Sequence, residues 1–282
     1  MRREAYYAEI KDHIAVMDKC TTEMWDAKYH FHDDYEVYLF LGGDVDLYIE
    51  QSLHHMQRGH LAVFNDRQLH RACHHGTLPY ERLAVHFLPG PVASLSTPAT
   101  NLLGCFQNRA DGEDPVILLG EESTEELAGL IRRLKRVTES EDYGADVLSL
   151  SLLSQLLVNV NLAFRQSSQE QPAHFDRLIG EIMSYVDEHL QEELSLERIA
   201  ADFSLSRSYL GHLFRRQTGG TLYHYILMKR TAAAKRYLAE GRSVTETCEL
   251  AGFSDYSNFI RTFRNMTGLS PRRYGQSVGR EG

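Results

Sequence analysis

The sequence predicts an α+β protein of two domains, with short strands in the first half and helices in the second. Three observations predict this class. Between about Met24 and Pro89, short runs rich in Val, Tyr, Phe and Leu alternate with turns that contain Gly or Pro. From Ser123 onward, apolar residues recur instead at helical spacing. A chain of 282 residues is also long for one domain and ordinary for two.

The composition is that of a globular protein, because 43% of the residues are hydrophobic and 24% are charged. These values exclude a disordered or fibrous chain. The four cysteines lie far apart without a CxxC pair, so we expect reduced thiols in a cytoplasmic protein. The first residues, MRREAYYAEIKD, lack the apolar core of a signal peptide, which agrees with that location.

The first half predicts a small β-barrel or sandwich, which we assign to residues 1–120. The clearest strands are Glu36–Leu41, Val45–Glu50 and His60–Phe64, and Gly-Gly, Arg-Gly and Leu-Pro pairs separate such runs. Many short strands at this spacing are typical of barrels and sandwiches. Residues 90–120 contain several Pro and Gly residues and are less regular.

Two helices are predicted over residues 121–164, with Ser123 as the cap of the first and Ala145–Phe164 as the second. Eighteen residues from Val147 to Phe164 carry no charge, but six are polar, so we expect a buried helix rather than a membrane span. These two helices resemble the dimerisation element of a known family of two-domain proteins, and antiparallel pairing of such apolar faces between two copies makes a closed two-fold homodimer. The alternative is that they pack only on their own barrel. The polar residues 165–173 are the predicted linker.

The last hundred residues contain one motif twice. The copies are SLERIAADFSLSRSYLGHLFRRQTGG, Ser195–Gly220, and SVTETCELAGFSDYSNFIRTFRNMTG, Ser243–Gly268. Each copy predicts a short helix, a turn, a longer helix and a final Thr-Gly pair. This is the pattern of a helix-turn-helix unit. Ser206 and Ser254 are the predicted caps of the longer helices. Residues 174–282 are therefore predicted to be an all-helical domain.

Charge and spacing in this domain favour DNA as a partner. Residues 1–173 carry 15 Lys and Arg against 26 Asp and Glu, a net charge of −11, whereas residues 174–282 carry 15 against 13, a net charge of +2. The predicted helix from Thr221 to Ala239 is roughly 28 Å long at 1.5 Å per residue. Adjacent major grooves on one face of DNA recur every ~34 Å, so this helix can hold two recognition helices in consecutive grooves.

The segment from about His174 to Tyr274 resembles the AraC/XylS family of bacterial transcription regulators. The resemblance is carried by LERIAADFSLSRSYLGHLFRRQTG, RTAAAKRYL and VTETCELAGFSDYSNFIRTFRNMTGLSPRRY. It implies two helix-turn-helix units joined by one long helix. It also implies base-reading positions at Ser208, Gly211, His212, Ser257, Asn258 and Arg261. The arginine and asparagine suit guanine and adenine respectively, whereas the glycine has no side chain to read a base. The candidates for phosphate contacts are Arg207, Arg215, Arg216, Arg264, Arg272 and Arg273.

An alternative interpretation of this half is a helical bundle whose surface arginines bind no DNA. One helix-turn-helix pattern leaves that alternative open. Two copies, the connecting helix and the Leu-Ser-Pro-Arg-Arg-Tyr end disfavour it.

The first half resembles the cupin barrel and the sensor domains of many AraC-type regulators. His30, His32, Glu36 and Gly43 match the first cupin motif, and Gly59 and His70 match the second. The match departs from the second motif, because Asn65 and Arg67 stand where a Pro and a Gly are expected.

Two chemistries compete for the polar side chains of this barrel. Flat side chains with polar tips suit a small-molecule effector such as a carbohydrate. The predicted pocket consists of Trp25, Tyr29, His30, His32, Glu36, Tyr38, His70 and His86. A metal held by His30, His32, Glu36 and His70 is the alternative, chemically possible but not the interpretation that we adopt. We therefore predict no metal, no cofactor and no catalytic residues.

The combined prediction is a cytoplasmic transcription regulator that binds double-stranded DNA and a small-molecule effector. A homodimer is expected, RNA polymerase is a partner if the protein is an activator, and no membrane association is expected. A metal-dependent cupin enzyme with a helical appendage and a constitutive DNA-binding protein are the alternatives.

Overall fold

A computed structural model describes residues 14–23, 25–26, 28–76, 78–107, 114–167, 173–174 and 177–278. Its strands are β1 (Ile14–Thr21), β2 (Trp25–Asp26), β3 (Tyr35–Gly42), β4 (Val45–Ile49), β5 (Ser52–His55), β6 (His60–Phe64), β7 (His70–His74), β8 (Tyr80–Phe87), β9 (Val116–Leu118) and β10 (Ala173–His174). They form two antiparallel sheets, in the orders β1-β8-β3-β6-β9 and β10-β5-β4-β7-β2. The chain is therefore α+β, as the sequence predicts, with a sheet-rich first half.

Its helices are α1 (Pro89–Ala93), α2 (Gly104–Gln107), α3 (Glu121–Thr138), α4 (Ala145–Gln166), α5 (Arg177–Glu188), α6 (Leu196–Asp202), α7 (Arg207–Thr218), α8 (Leu222–Ala239), α9 (Val244–Leu250), α10 (Tyr256–Thr267) and α11 (Pro271–Val278). The strand predicted over His60–Phe64 is confirmed at both ends. So is the long connecting helix, because α8 begins after its cap, Thr221, and ends at Ala239.

Strand β3 is buried at almost every position, because both faces of its sheet are covered. Tyr38 and Phe40 point into the space between the sheets, where they pack with Phe64 and Tyr80. The alternate residues Val37, Leu39 and Leu41 pack instead in the cluster that includes α3 and α4. The buried leucines of α4 therefore cover the chain's own barrel. This packing is the alternative to dimerisation that the sequence left open.

Two predicted caps are wrong. Helix α3 begins at Glu121 after Gly120, without a side-chain cap, so Ser123 lies inside its first turn. Glu121 and Glu122 supply negative charge at that helix end instead. Helix α10 begins at Tyr256, and its cap is Asp255, whose carboxylate accepts a hydrogen bond from the Asn258 amide. Ser254 lies one residue too early for that contact.

Helix α4 is the one helix in the described ranges that is long and apolar enough to cross a bilayer by length and composition alone. One side of it, including Leu153, Leu156, Leu157 and Val160, is fully buried against the barrel cluster. That packing is the behaviour expected of a core helix, in agreement with the prediction.

The sheets and the C-terminal helices meet around α8. Lys235 of α8 is fully buried, and its ammonium group lies 2.8 Å from the Asp33 carboxylate and 3.3 Å from that of Asp66. Lys229, one turn and a half earlier, pairs with Glu50 at 2.8 Å and with Asp187 at 3.0 Å. Three carboxylates of the sheet-rich half thus neutralise two lysines of the helical half.

Candidate functional site

The first helix-turn-helix unit consists of α6 and α7. Ser206 caps α7, as predicted, by accepting a hydrogen bond from the Tyr209 amide. Leu210, Leu213 and Phe214 are buried on the inner face of α7. The opposite face exposes Ser208 and His212, with Gly211 half-buried between them. The three predicted base-reading positions of this unit therefore share one outward face.

The second unit consists of α9 and α10, and its outward face is more polar. Phe259 and Phe263 anchor α10 in the core, which leaves Ser257 and Arg261 exposed. Asn258 is half-buried, and its side-chain oxygen accepts a hydrogen bond from the Arg261 guanidinium at 3.1 Å. The two residues predicted to contact bases with paired hydrogen bonds are therefore direct neighbours.

The predicted phosphate-binding arginines are all exposed; they are Arg207, Arg215, Arg216, Arg264, Arg272 and Arg273. Arg207 also pairs with Glu197 at 2.7 Å across the first unit. The end of α7 carries two of these arginines and α11 carries two more, so positive charge flanks both outward faces.

A second constellation surrounds Glu36 between the two sheets. Glu36 of β3 lies directly opposite His86 of β8 in the sheet. Its Oε2 atom lies 3.1 Å from Nε2 of His32 and 3.5 Å from Nε2 of His70, while its Oε1 atom lies 3.6 Å from Nε2 of His86. His70 begins β7 of the other sheet and stacks on Phe64. Both sheets and the loop before β3 thus contribute to one cluster.

Charge within this cluster is set by the buried carboxylate. Burial alone would raise the pKa of Glu36, but hydrogen bonds with His32 and His70 outweigh it, so this pKa lies well below its usual value. Burial would lower the pKa of His32, yet the bond to Glu36 reverses the effect and raises it. The pKa of His86 is lowered, chiefly by burial. Neighbouring imidazoles therefore differ in their affinity for a proton.

Not all predicted pocket residues join the cluster. His30 does lie beside it, since its ring centroid is 4.5 Å from that of His70. Tyr38 lies deeper between the sheets, and its hydroxyl hydrogen-bonds with that of Tyr80 at 2.7 Å. Tyr29 lies outside the barrel interior, where its ring packs edge-on against Tyr225 of α8. Trp25 belongs to β2, but its side chain is outside the described part of the structure.

Two functional residues, Arg82 and Lys235, were missed from the sequence. Arg82 donates a hydrogen bond to the Tyr80 hydroxyl at 2.6 Å and so extends the polar network around Tyr38. Strand alternation in β8 could have placed the arginine there. Lys235 follows the buried Met228, Thr231 and Ala232 at helical spacing, and this position on an apolar face was the available sign of a buried charge.

Comparison with known families matches both halves of the chain. A model described as "AraC-like ligand binding domain" matches residues 21–157. A model described as "Helix-turn-helix domain" matches residues 199–277, from within α6 to within α11. The chain belongs to the AraC family. Its two matched segments coincide with the two constellations described above, the barrel cluster and the paired helix-turn-helix units.

Curated relatives of this AraC-family chain include the "Probable transcriptional regulator LumQ" of Photobacterium leiognathi, 30% identical over 49% of this chain and 55% of that protein. The "HTH-type transcriptional activator RhaS" of Salmonella schwarzengrund is 33% identical over 51% of each chain. The chain thus spans about half the length of the curated relatives that it matches. Among solved structures, ToxT of Vibrio cholerae is matched over 94% of this chain and 98% of that chain, at 11% identity. Its TM-score of 0.37 is too low to bear on the assignment.

Proposed function

We propose that this AraC-family chain is a cytoplasmic, sequence-specific DNA-binding transcription regulator. The observation that carries the proposal is the pair of outward polar faces on α7 and α10, each held by a buried aromatic or aliphatic inner face. Helix α8 separates the units, and its 18 residues span roughly 27 Å at 1.5 Å per residue. Two consecutive major grooves, ~34 Å apart, are within reach of such a pair. RNA polymerase is a further partner if the protein is an activator.

Replacement of Arg261 by alanine tests base reading. A bidentate contact between arginine and guanine contributes about 1–3 kcal/mol of discrimination, so Arg261→Ala should weaken binding to the best site by that amount and relax preference at one base pair. The site is first found by selection from random duplexes, and affinities are then measured by fluorescence anisotropy at fixed salt.

The matched control for this test is Arg272→Ala, a proposed phosphate contact. It should weaken binding evenly across sequences and lower the salt slope by about one. Equal weakening by Arg261→Ala on every duplex would show that Arg261 binds phosphate rather than a base. Absence of any salt-sensitive preference in the wild-type protein would refute the proposed function itself.

For the barrel, we propose a small-molecule effector, of the carbohydrate class, and no catalytic role. The family consists of transcription regulators, and the cluster around Glu36 offers a carboxylate and several imidazoles to hydroxyl groups. Asp33, which contacts Lys235 of α8, directly follows His32 of the cluster. One loop therefore serves both the effector site and the contact with the DNA-binding half. A thermal-shift screen of sugars tests the class, since a ligand at 100 times its Kd adds about 2.7 kcal/mol of stability.

A homodimer through α4 is also proposed. The buried leucines of α4 are used by the barrel, but its outer side exposes Val147, Leu148 and Leu162 on one stripe. Leu148→Glu combined with Leu162→Glu places charges on that stripe, and we expect sedimentation equilibrium to show monomers. Leu78→Glu, on a similarly exposed leucine of the barrel, should leave the dimer intact. A dimer that survives the double substitution would place the interface elsewhere.

A further inference from the structure

The cluster around Glu36 brings three potential metal ligands together. Nε2 of His32, a carboxylate oxygen of Glu36 and a ring nitrogen of His86 all lie within 4.8 Å of one another. Two metal–ligand bonds of ~2.1 Å place their donor atoms about 3.0–3.5 Å apart at octahedral or tetrahedral angles. The separations of 3.1 Å for His32 and 3.6 Å for His86 from Glu36 are close to that range.

Backbone carbonyls fix the orientation of two imidazoles. Nδ1 of His32 lies 2.7 Å from the carbonyl oxygen of Asp34, and Nδ1 of His70 lies 3.0 Å from that of Gln68. A carbonyl oxygen only accepts hydrogen bonds, so each Nδ1 atom carries the hydrogen. Nε2 is therefore the ring atom that faces the Glu36 carboxylate, and in a neutral ring it is the nitrogen available to a metal ion. Binding of an ion would release the proton that Nε2 of His32 shares with Glu36. Carbonyl partners of this kind are the usual supports of metal-binding histidines.

His86 supplies the independent observation. Its Nε2 atom is buried and has no hydrogen-bond partner among the described residues. A buried nitrogen left without a partner costs free energy, about 1–3 kcal/mol in typical cases. The same atom points at the carboxylate that His32 also contacts, so a single ion at their common centre would satisfy all three groups.

We propose that His32, Glu36 and His86 bind one divalent first-row transition-metal ion, with His70 as the adjacent fourth donor. Two imidazoles and one carboxylate suit Zn²⁺, Fe²⁺, Co²⁺ or Ni²⁺ better than Ca²⁺ or Mg²⁺. His86 takes the place that the motif match assigns to His30, whose ring is exposed and whose Nδ1 lies 3.1 Å from the Lys28 carbonyl oxygen. The site stands independently of DNA binding, and its open coordination positions leave room for the hydroxyl groups of a small molecule.

The test uses the full-length, tag-free protein, freed of metal with EDTA and then titrated with Co²⁺ and with Zn²⁺. One equivalent should bind, and Co²⁺ should give the visible absorption of a nitrogen- and oxygen-ligated ion. Glu36→Gln and His86→Gln should each weaken the affinity at least about 100-fold. His75→Gln, the control, removes an exposed imidazole on Asp46 and should bind metal like the wild type.

Several results would overturn the proposal. They are the absence of bound ion after dialysis, wild-type affinity in His86→Gln, or loss of binding in His75→Gln. If a variant fails to fold by circular dichroism, X-ray absorption of the Zn²⁺-loaded wild type still decides, because it must show at least the two imidazoles of His32 and His86. DNA affinity is measured on the same samples. Loss of DNA binding with intact metal binding would refute the proposed function alone, and the reverse result would refute only the metal site.

Discussion

At the scale of single residues, substitution of two glycines in the helical half is expected to change the free energy of unfolding in opposite directions. Gly211 lies inside α7, where an added Cβ would meet one atom, Cδ2 of Leu196, at an ordinary 3.9 Å. Glycine within a helix is less stable than alanine by roughly 0.5–1 kcal/mol. Gly211→Ala should therefore raise the free energy of unfolding in urea by that amount. If Gly211 faces a base edge, the same variant should also change site preference in the anisotropy assay.

Gly252 provides the contrast. Its φ of +80° belongs to the left-handed region, and a Cβ there would lie 2.1 Å from the carbonyl oxygen of Leu190. Gly252→Ala should lower the free energy of unfolding by more than ~1 kcal/mol, because strain in φ adds to the clash. If both substitutions changed the free energy of unfolding equally, local backbone geometry would not determine the stability effect at either glycine.

At the scale of secondary-structure elements, the start of α10 distinguishes two neighbouring candidates for its cap. The Asp255 carboxylate lies 2.5 Å from the Asn258 amide, whereas Ser254 makes no such contact in the described chain. Asp255→Ala should cost about 0.5–2 kcal/mol in unfolding free energy, the usual effect of removing a cap. Ser254→Ala, the control, should change it by no more than about 0.5 kcal/mol. If Ser254→Ala lowered the free energy of unfolding more than Asp255→Ala, Ser254 would be the cap, as the sequence predicts.

The same element shows why sequence patterns predict helices better than their ends. Apolar spacing depends on local periodicity alone, so the extents of α8 and of β6 could be predicted. Ser254 and Asp255 are both good capping residues, and only the backbone path of the turn chooses between them. The burial of β3 on both faces could not be inferred either, because it depends on α3 and α4, far along the chain.

The residues of the candidate sites, like the helix ends, could be predicted only in part from the sequence. Motif spacing identified the outward residues of α7 and α10, since helical periodicity separates the faces of a helix. In the barrel, His32, Glu36 and His70 could be grouped from the matches to the two cupin motifs, whereas Tyr29 was misplaced. It follows the first strands closely in sequence, but its ring packs against Tyr225 of α8, and this contact spans the two halves.

At the scale of the whole molecule, Lys235 makes the contact between the halves specific. Its ammonium group donates a hydrogen bond to the carbonyl oxygen of Asp66 at 2.6 Å and lies near the rings of Phe31 and Tyr274. A fully buried lysine is tolerated only when it is paired, so the halves must meet with Asp33 and Asp66 in register. An effector that moves the loop that carries His32 and Asp33 would disturb this contact first.

Lys235→Met removes the charge and keeps most of the side-chain volume among the two rings. Removing one partner of a buried ion pair costs about 3–5 kcal/mol, because a charge is left buried and unpaired. We expect the lower end in urea unfolding, since the Asp33 side chain is 39% exposed and remains partly hydrated. Arg236→Ala, on the next residue of α8 but at the surface, should change stability by no more than about 0.5 kcal/mol.

A double-mutant cycle with Asp33→Asn then separates the ion pair from the packing. If the pair links the two halves, Asp33→Asn should cost much less in the Lys235→Met background than in the wild type, with a coupling energy of about 0.5–3 kcal/mol. Additive effects would mean that Asp33 and Lys235 are neighbours without energetic linkage. In that case the loop after His32 could not transmit effector binding to α8, and coupling would have to pass through the Lys229 contact with Glu50 instead.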